Sequence, residues 1–337
     1  MAVDPEKQEK SATTFDPEFQ TENIAFDPKE MLACDGCGRT NPPNRLNCIY
    51  CGSELNIQVD DAASIKTNRR TLELWERGFN VIVRENTAER SSVDKIADLL
   101  SMDPADVSMI LTVGMPLPLA RVENEKEAAL IVNAMAPLGL SCSVLPDVDL
   151  SADKFPARLS KIDDLADKFA LKDFNTGNVT EIAKEDIVLI VSGILTSGKV
   201  DSLERKRRGK ETKILDETTT AEDEAILDIY ARSDSNGFRV RLAGFDFSCL
   251  GEDKGLLAAK NLSTLVHFLK ERSPNAKLIT NYSTIKQALN IVWEIESRKD
   301  SKGLQRIGFG KTEFGAVAST NNLNQFTKFS RLQWHLL

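Results

Sequence analysis

The 337-residue sequence contains no long apolar run, no signature motif of an enzyme and only two histidines. No stretch approaches the roughly 18 apolar residues of a membrane-spanning helix. The first residues of the chain carry acidic side chains and no apolar core, so we expect no secretory signal there. Phosphate-binding loops, dinucleotide fingerprints and the His-Glu-x-x-His zinc motif are all missing. These absences predict a cytoplasmic protein that is not an enzyme.

The chain has no excess of positive charge. The chain has 43 basic and 51 acidic residues, and the formal net charge of −8 argues against a dedicated nucleic-acid-binding protein. Hydrophobic residues make up 41% of the chain, which is enough for true cores. The length leaves room for two or three small domains.

Cysteine is used sparingly but in a regular pattern. Four of the six cysteines form two Cys-x-x-Cys pairs, and a glycine follows each pair. Two thiolates separated by two residues can bind one metal ion together, and two such pairs complete a tetrahedral shell. Glycine suits the turn because it adopts positive φ freely. Four cysteines leave no coordination position for a catalytic water, so we predict a structural zinc ion bound by Cys34, Cys37, Cys48 and Cys51.

The two pairs belong to a longer pattern, Cys-x2-Cys-Gly-x2-Asn-Pro-Pro-x4-Cys-x2-Cys-Gly-x2-Leu. This pattern resembles the small zinc ribbons of bacterial multi-domain proteins, with Leu55 as a packing residue. It also resembles Ran-binding-protein type fingers, which can bind single-stranded RNA. Those fingers usually carry tryptophan where this chain has Leu32, and only Tyr50 is nearby for stacking on a base. We therefore predict a zinc ribbon over 31–56 with a structural role.

A compact α/β unit is predicted over 72–146. Its first strand begins at Phe79, two amphipathic helices follow caps at Ser92 and Asp103, and Gly139 ends a third helix. The order β-α-α-β-α-β resembles the C-terminal domain of the bacterial ribosomal stalk protein and, more loosely, the adaptor of the Clp protease. The run Thr112-Val-Gly-Met-Pro-Leu-Pro-Leu is similar to the glycine- and proline-containing turn of the stalk domain.

The functional residues of those two families are not matched. The stalk domain recruits translation GTPases through lysines on the helix before that turn, and the stretch from Pro104 to Leu111 contains no lysine. The acidic motif of the Clp adaptor is replaced by Arg84-Glu-Asn-Thr. The resemblance therefore implies a shared fold with a different activity.

The region 168–296 is rich in strand patterns. A continuous apolar strand starts at Asp186, and turn sequences occur at Asn175-Thr-Gly-Asn and Asp234-Ser-Asn-Gly. A helix predicted from Lys254 to Arg272 would bury Leu256 and Leu257 among other apolar residues. The order resembles bacterial pleckstrin-homology-like domains, which implies a β-sheet or barrel capped by a C-terminal helix.

Basic residues cluster between two of these predicted strands, in a run that we expect to form a mobile loop. Pleckstrin-like domains often bind anionic headgroups through basic loops, and nucleic-acid phosphates attract the same residues. The candidates for binding a peripheral anionic surface or nucleic acid are Arg205, Lys206, Arg207, Arg208 and Lys210. Glutamates flank the run and no aromatic residue interrupts it, so a solvated loop is the alternative.

The segment 297–337 combines basic and aromatic side chains, and its first half is rich in glycine. Apolar residues then recur every three positions from Leu323 to Leu332, which predicts a short helix. Aromatic and arginine anchors are favoured at interface hot spots. We predict a docking tail whose anchors are Phe326, Phe329, Arg331 and Trp334. Packing against the chain's own sheet and a disordered tail are the alternatives.

Together these patterns predict an α+β, multi-domain chain. A disordered tail (1–30) and the zinc ribbon (31–56) are followed by a linker (57–70), the stalk-like unit (72–146), a charged connector, the pleckstrin-like unit (168–296) and the docking tail (297–337). We expect a non-enzymatic adaptor or regulatory subunit that binds protein partners in a larger assembly. A ribosome- or RNA-associated factor is the second hypothesis.

Overall fold

The computed structural model describes residues 31–42, 48–53, 55, 72–150, 154–207, 213–308 and 311–337, with backbone alone described in the strands over 203–217 and 304–314. The chain divides into two compact units, 1–61 and 62–337. No helix in the described ranges has the length and apolar character needed to cross a bilayer. The predicted disordered tail (1–30) and linker (57–70) lie outside the described residues.

The first unit contains a two-stranded antiparallel sheet. Its strands are β1 (Leu32–Ala33) and β2 (Thr40–Asn41). Cys34, Cys48 and Leu55 form its small buried core. The predicted packing role of Leu55 is therefore confirmed.

The second unit begins with the predicted order β-α-α-β-α-β. Asp103 accepts a hydrogen bond from the N–H of Ala105 and so caps a helix that has proline at its first turn. Gly139, with φ of 87°, turns the chain after the third helix. The elements are β3 (Phe79–Asn86), α1 (Val93–Leu100), α2 (Pro104–Thr112), β4 (Leu117–Val122), α3 (Glu125–Met135) and β5 (Leu140–Pro146). They form a three-stranded antiparallel sheet in the order β4-β3-β5.

The remaining elements build a larger sheet and four helices. The strands are β6 (Ala157–Asp164), β7 (Lys168–Asp173), β8 (Val179–Ala183), β9 (Ile187–Arg207), β10 (Lys213–Ala231), β11 (Asp234–Arg241), β12 (Lys277–Ile279), β13 (Glu296–Gly308) and β14 (Lys311–Asn321). The helices are α4 (Asp147–Leu150), α5 (Ala258–Arg272), α6 (Tyr282–Asn290) and α7 (Leu323–His335). The sheet begins with β6, inside the segment that the sequence predicted to be a charged connector.

The nine strands form one open sheet. Eight lie in the order β13-β14-β9-β10-β11-β6-β7-β8, and β12 pairs with β9. Neighbours are antiparallel except β6 with β11 and β12 with β9. The two ends of this order, β13 and β8, do not pair with each other in the described residues. These strands therefore form an open sheet and not a closed pleckstrin-like barrel.

Two of the strands are unusually long, and one of them contains part of the basic run that was predicted to form a loop. β9 has 21 residues and β10 has 19. The backbone of Arg205, Lys206 and Arg207 belongs to β9, which is paired with β10 on one side and β14 on the other. These three residues therefore belong to a paired strand and not to a mobile loop. Arg208 and Lys210 lie outside the described residues.

Beyond the helix-covered part of the sheet, four strands continue as a layer that we call the arm. The arm consists of 197–207, 213–224, 296–308 and 311–321, from β9, β10, β13 and β14. Among its described side chains, Ala316 alone is buried. Both faces of the arm are therefore open to solvent along most of its described length.

The C-terminal segment does not form a tail. Its first half makes β13 and β14, and its second half makes the predicted helix, α7. The rings of Phe326 and Phe329 are fully buried in the chain's own core, and Arg331 is 5% exposed. The prediction that these residues dock onto a partner is therefore wrong, because the sheet and α6 already cover them.

The predicted separation of 72–146 from the β-rich region is also wrong. One buried cluster contains residues of β3, β4 and α1–α3 together with Tyr282, Trp293, Phe326 and Phe329. The indole N–H of Trp293 donates to Asn80 Oδ1 at 2.7 Å. The two regions thus share a core and belong to one compact unit. A second core lies under α5, on the opposite face of the large sheet, because its residues alternate along β9 and β10 with those of the first core.

Two leucines that were predicted to be buried in α5 are exposed to solvent instead. Leu256 and Leu257 precede the helix and are exposed, whereas Leu262, Leu265 and Leu269 are buried. The helix begins at Ala258, four residues after the predicted start at Lys254.

Candidate metal centre

The four cysteines of the first unit lie on two turns of the same shape. In each turn the N–H of the first cysteine donates to the carbonyl five residues later, at 3.0 Å for Cys34 and 2.8 Å for Cys48. The glycine after the second cysteine donates back to the first cysteine's carbonyl, at 2.7 Å for Gly38 and 2.9 Å for Gly52. Both glycines have positive φ, 70° and 74°. The repeat in the sequence therefore produces a repeat in the backbone.

The sulfur atoms lie at distances that suit a tetrahedral ion. The Sγ atoms of Cys34 and Cys51 are 3.6 Å apart, as are those of Cys37 and Cys48. All four lie within 4.8 Å of one another. A zinc–sulfur distance of about 2.3 Å places the sulfur atoms of a tetrahedron about 3.8 Å apart. The four-cysteine cluster can therefore hold a metal ion of the size of zinc.

Neighbouring groups orient the sulfur atoms. The backbone N–H of Tyr50 donates to Cys48 Sγ at 3.4 Å, and Cys51 Sγ lies 3.3 Å from Ser53 Oγ. Cys34 and Cys48 are buried, and Cys37 and Cys51 are exposed. Contacts of this kind around the ligating atoms fix their direction and moderate their charge.

The pKa values of Cys48 and Cys37 are shifted in opposite directions. Burial raises the pKa of Cys48, but the N–H groups of Tyr50 and Cys51 outweigh it and lower that pKa to about 6. For Cys37, a backbone contact of Arg39 lowers the pKa, and burial with the neighbouring sulfur atoms outweighs it and raises the pKa to about 12. Sulfur atoms this close compete for negative charge, and a cation between them removes that competition.

No protein-family model, curated protein or solved structure matches the chain. The cysteine cluster and the geometry of the fold are therefore the observations that bear on function.

The predicted anchors of the C-terminal segment have partners within the chain. The guanidinium of Arg331 donates to the carbonyl of Lys154 and to Asn236 Oδ1, the latter at 2.8 Å. The ring of Trp334 stacks on that of Tyr230, with centroids 5.7 Å apart. These contacts fasten α7 to the sheet. The side chains of the basic run at 205–210 are not among those described.

A buried charged cluster in the second unit was missed by the sequence analysis. Asp147 Oδ2 accepts hydrogen bonds from Arg121 Nε at 2.8 Å and from the N–H of Gly78 at 2.9 Å. Asp147 Oδ1 accepts from Asn80 Nδ2 at 2.9 Å and lies 3.6 Å from Lys328 Nζ. Two cations thus share one carboxylate, and the three side chains are at most 12% exposed.

The cluster lies beside a cavity of about 360 Å³. The turn before β3 forms one wall, and Arg121 holds this turn by donating to the carbonyls of Glu73 and Glu76. Trp75, on the same turn, is 81% exposed. No sequence signal could have found the cluster, because its charged residues come from β4, α4 and α7, which are far apart in the chain.

The two cysteines outside the four-cysteine cluster behave as packed residues and not as nucleophiles. Burial raises the pKa of Cys142 to about 12 and that of Cys249 to about 11. A nucleophilic cysteine needs the opposite shift, because the thiolate is the reactive form.

Proposed function

We propose that the protein is a non-enzymatic, zinc-binding adaptor or regulatory subunit that joins other proteins in a cytoplasmic assembly. The observation that carries the proposal is the arm. A sheet in a compact domain normally buries at least one face against another layer. Over its described residues the arm presents two largely exposed faces and two strand edges without a neighbouring strand, which are surfaces that a protein partner can cover or extend.

The cysteine cluster supports the same proposal. Four cysteines fill a tetrahedral shell, so the metal that we propose, zinc, acts as a structural crosslink in a module too small for a large core. The raised pKa values of Cys142 and Cys249 also favour a role without cysteine-based catalysis.

Shortening the arm tests this proposal. Lys199 pairs with Thr220, and Lys299 pairs with Ala318. Residues 200–219 and 300–317 can therefore each be replaced by an Asn-Gly turn, which closes a two-residue hairpin at those pairs. We expect the shortened chain to keep its zinc content and melting temperature, since Ala316 is the only buried one among the removed side chains that are described.

The readout is in-cell cross-linking followed by mass spectrometry, on the full chain and on the shortened-arm variant. The proposal expects cross-links from Lys199, Lys299 or Lys302 to other protein chains, and their partners should no longer copurify with the variant. If the same proteins copurify equally with both chains, the arm is not the adaptor surface.

The RNA-associated alternative has one observation in its favour. The guanidinium of Arg39 lies 4.7 Å from the ring centroid of Tyr50, and this tyrosine is 53% exposed on the cysteine module. An arginine and an exposed aromatic ring are the elements of a base-stacking platform. Salt-dependent RNA binding that is lost in Tyr50→Ala and retained in Tyr50→Phe would favour this function over the adaptor.

A further inference from the structure

The buried charged cluster beside the cavity of about 360 Å³ has one cation more than it has acids. Arg121 and Lys328 both form ion pairs with Asp147, and within the described residues neither cation pairs with a second acid. The three side chains are at most 12% exposed, so water screens their charges poorly. The other charged side chains that line the cavity are two acids and two cations, and in the part of the chain that the structure describes they form no ion pair with the cluster: Glu76, Glu294, Arg77 and Lys154.

Lys328 is the member of the cluster whose hydrogen-bond donors are unused. Arg121 donates to Asp147 and to two carbonyls of the turn before β3. Both oxygens of Asp147 already accept hydrogen bonds, from Arg121 and the N–H of Gly78 on one side and from Asn80 on the other. Lys328 Nζ lies 3.6 Å from Asp147 Oδ1, which is beyond the length of a normal hydrogen bond, and no other described residue accepts from it. An ammonium group has three donors, so a negatively charged ligand in the cavity could take them.

The walls around this ammonium group are aromatic and aliphatic. The centroid of the Trp293 ring lies 5.8 Å from Lys328 Nζ, and Trp75, which is 81% exposed, also lines the cavity. A neighbouring cavity of about 360 Å³ shares Arg121, Trp293 and Lys328 with the first, and its wall includes four aliphatic side chains, Leu72, Ile291, Val292 and Ile295. Cavities of this volume hold small organic ligands. An apolar body can therefore pack against these walls while its charged end meets the ammonium group.

From these observations we propose that the cavity binds a small monocarboxylate with an apolar body, and that Lys328 holds its carboxylate group. One negative charge is what the cluster lacks, so a monoanion completes it. A phosphate dianion would bring a second negative charge close to Asp147, which disfavours it. The inference goes beyond the adaptor role and does not depend on it, because Lys328, Trp75 and Trp293 lie outside the arm.

The three tryptophans of the chain provide a test with the purified full chain. Trp75 and Trp293 line the cavity, whereas Trp334 stacks on the buried ring of Tyr230. In a sample with isotope-labelled tryptophan, whose indole N–H resonances are assigned with Trp75→Phe and Trp334→Phe, phenylacetate should shift the first two saturably and leave the third unchanged. Phenylacetamide has nearly the same shape and no charge, so it should bind about 10- to 100-fold more weakly. Hexanoate, an aliphatic carboxylate, should compete with phenylacetate.

Lys328→Met removes the ammonium group and keeps an apolar side chain in its place. It should weaken phenylacetate binding to the level of phenylacetamide, and an unchanged Trp334 resonance shows that the variant is folded. Lys260→Met is the matched control, with the same change in charge at an exposed position of α5, and it should bind like the unmodified chain. Phenylacetate should also raise the melting temperature of the unmodified chain but not that of Lys328→Met, because a ligand of the folded state stabilises it.

Four results would overturn the inference. One is the absence of a saturable shift at about 10 mM phenylacetate, and another is equal binding of phenylacetamide, which would indicate an apolar cavity without a charge preference. The third is undiminished binding by folded Lys328→Met. The fourth is displacement of phenylacetate by less inorganic phosphate than hexanoate, which would assign the cation to a phosphate ligand. If Lys328→Met does not fold, the comparison of phenylacetate with phenylacetamide on the unmodified chain still decides. The adaptor proposal is tested separately, by the cross-links of the arm.

Discussion

In the buried charged cluster next to the cavity, two cations share the carboxylate of Asp147, and the charge that is left without compensation is that of Lys328. Burial lowers its pKa, and the proximity of Asp147 does not offset that effect. For Asp147, burial raises the pKa, but Lys328, Asn80 and Arg121 together lower it below the usual range of a carboxyl. The carboxylate therefore stabilises the folded state, while the ammonium group destabilises it.

Substitutions at these two residues should have different effects. We expect Asp147→Ala to reduce the free energy of unfolding by about 3–5 kcal/mol, because it leaves two buried cations without an acid. Lys328→Met keeps the apolar stem near the Trp293 ring and removes the excess charge, so its cost should be below about 1 kcal/mol. Urea unfolding at neutral pH measures both. Equal losses in the two variants would contradict this assignment of charges.

The same carboxylate makes stability depend on pH. Its pKa is lower in the folded than in the unfolded chain, so its contribution is complete above the unfolded value of about 3.9 and is lost as pH falls through the folded value. We expect the stability difference between the native chain and Asp147→Asn to be largest near neutral pH and to shrink towards acid. A difference that stays constant over that range would exclude a carboxylate with a lowered pKa.

Packing between elements is closest where β9 meets α6 and α7. A Cβ atom on Gly193 would lie 2.5 Å from a ring carbon of Phe326 and 2.9 Å from one of Tyr282. Both rings are fully buried, and their centroids are 5.0 Å apart. The absence of a side chain on one strand thus allows two helices to approach the sheet.

We expect Gly193→Ala to destabilise the second unit by about 1–3 kcal/mol, because neither buried ring can move away freely. Gly255→Ala is the matched control, since its Cβ atom would meet its nearest neighbour, Asn261 Oδ1, at an ordinary 3.5 Å. Thermal unfolding of both variants gives the comparison. The packing argument fails if Gly193→Ala melts within a degree or so of the control.

The sequence predicts the helices and strands better than it predicts which residues pack against them. The three-residue apolar repeat correctly indicated α7, but its buried partners Tyr230 and Tyr282 lie about 100 and 43 positions away. The distal strands of the arm were not predicted, because both of their faces meet water and so lack the apolar alternation of a half-buried strand. The close approach of the four cysteines, which could hold a metal ion, was predicted because its geometry is local to two short turns.

At the scale of the whole molecule, the two compact units have separate sources of stability. Over its described residues, the first unit has a buried core of three residues, two of them cysteines of the four-cysteine cluster. The second unit has two extensive cores of aliphatic and aromatic side chains. We therefore expect a metal ion bound by the four cysteines to contribute most of the folding free energy of the first unit and none of the internal packing of the second.

Removing the metal should consequently unfold one unit. We expect elemental analysis to find one zinc ion per chain, and a strong chelator to abolish protection of the backbone amides at 31–42 and 48–53 from hydrogen exchange. Protection of the amides in β9 and β3 should not change. Cys48→Ser should reproduce the chelated state without a chelator. Global loss of protection would show that the two units depend on one another, contrary to this expectation.

The order of strands in the large sheet has a kinetic consequence. β9 and β10 can form a hairpin as soon as both are present, but the other neighbour of β9, β14, comes more than a hundred residues later in the chain. Until β14 arrives, a long edge of β9 is unpaired, and closing such a distant contact is slow. During that interval the β14 of another molecule can take the same place. Refolding at high concentration should therefore yield domain-swapped dimers, and rapid dilution should suppress them.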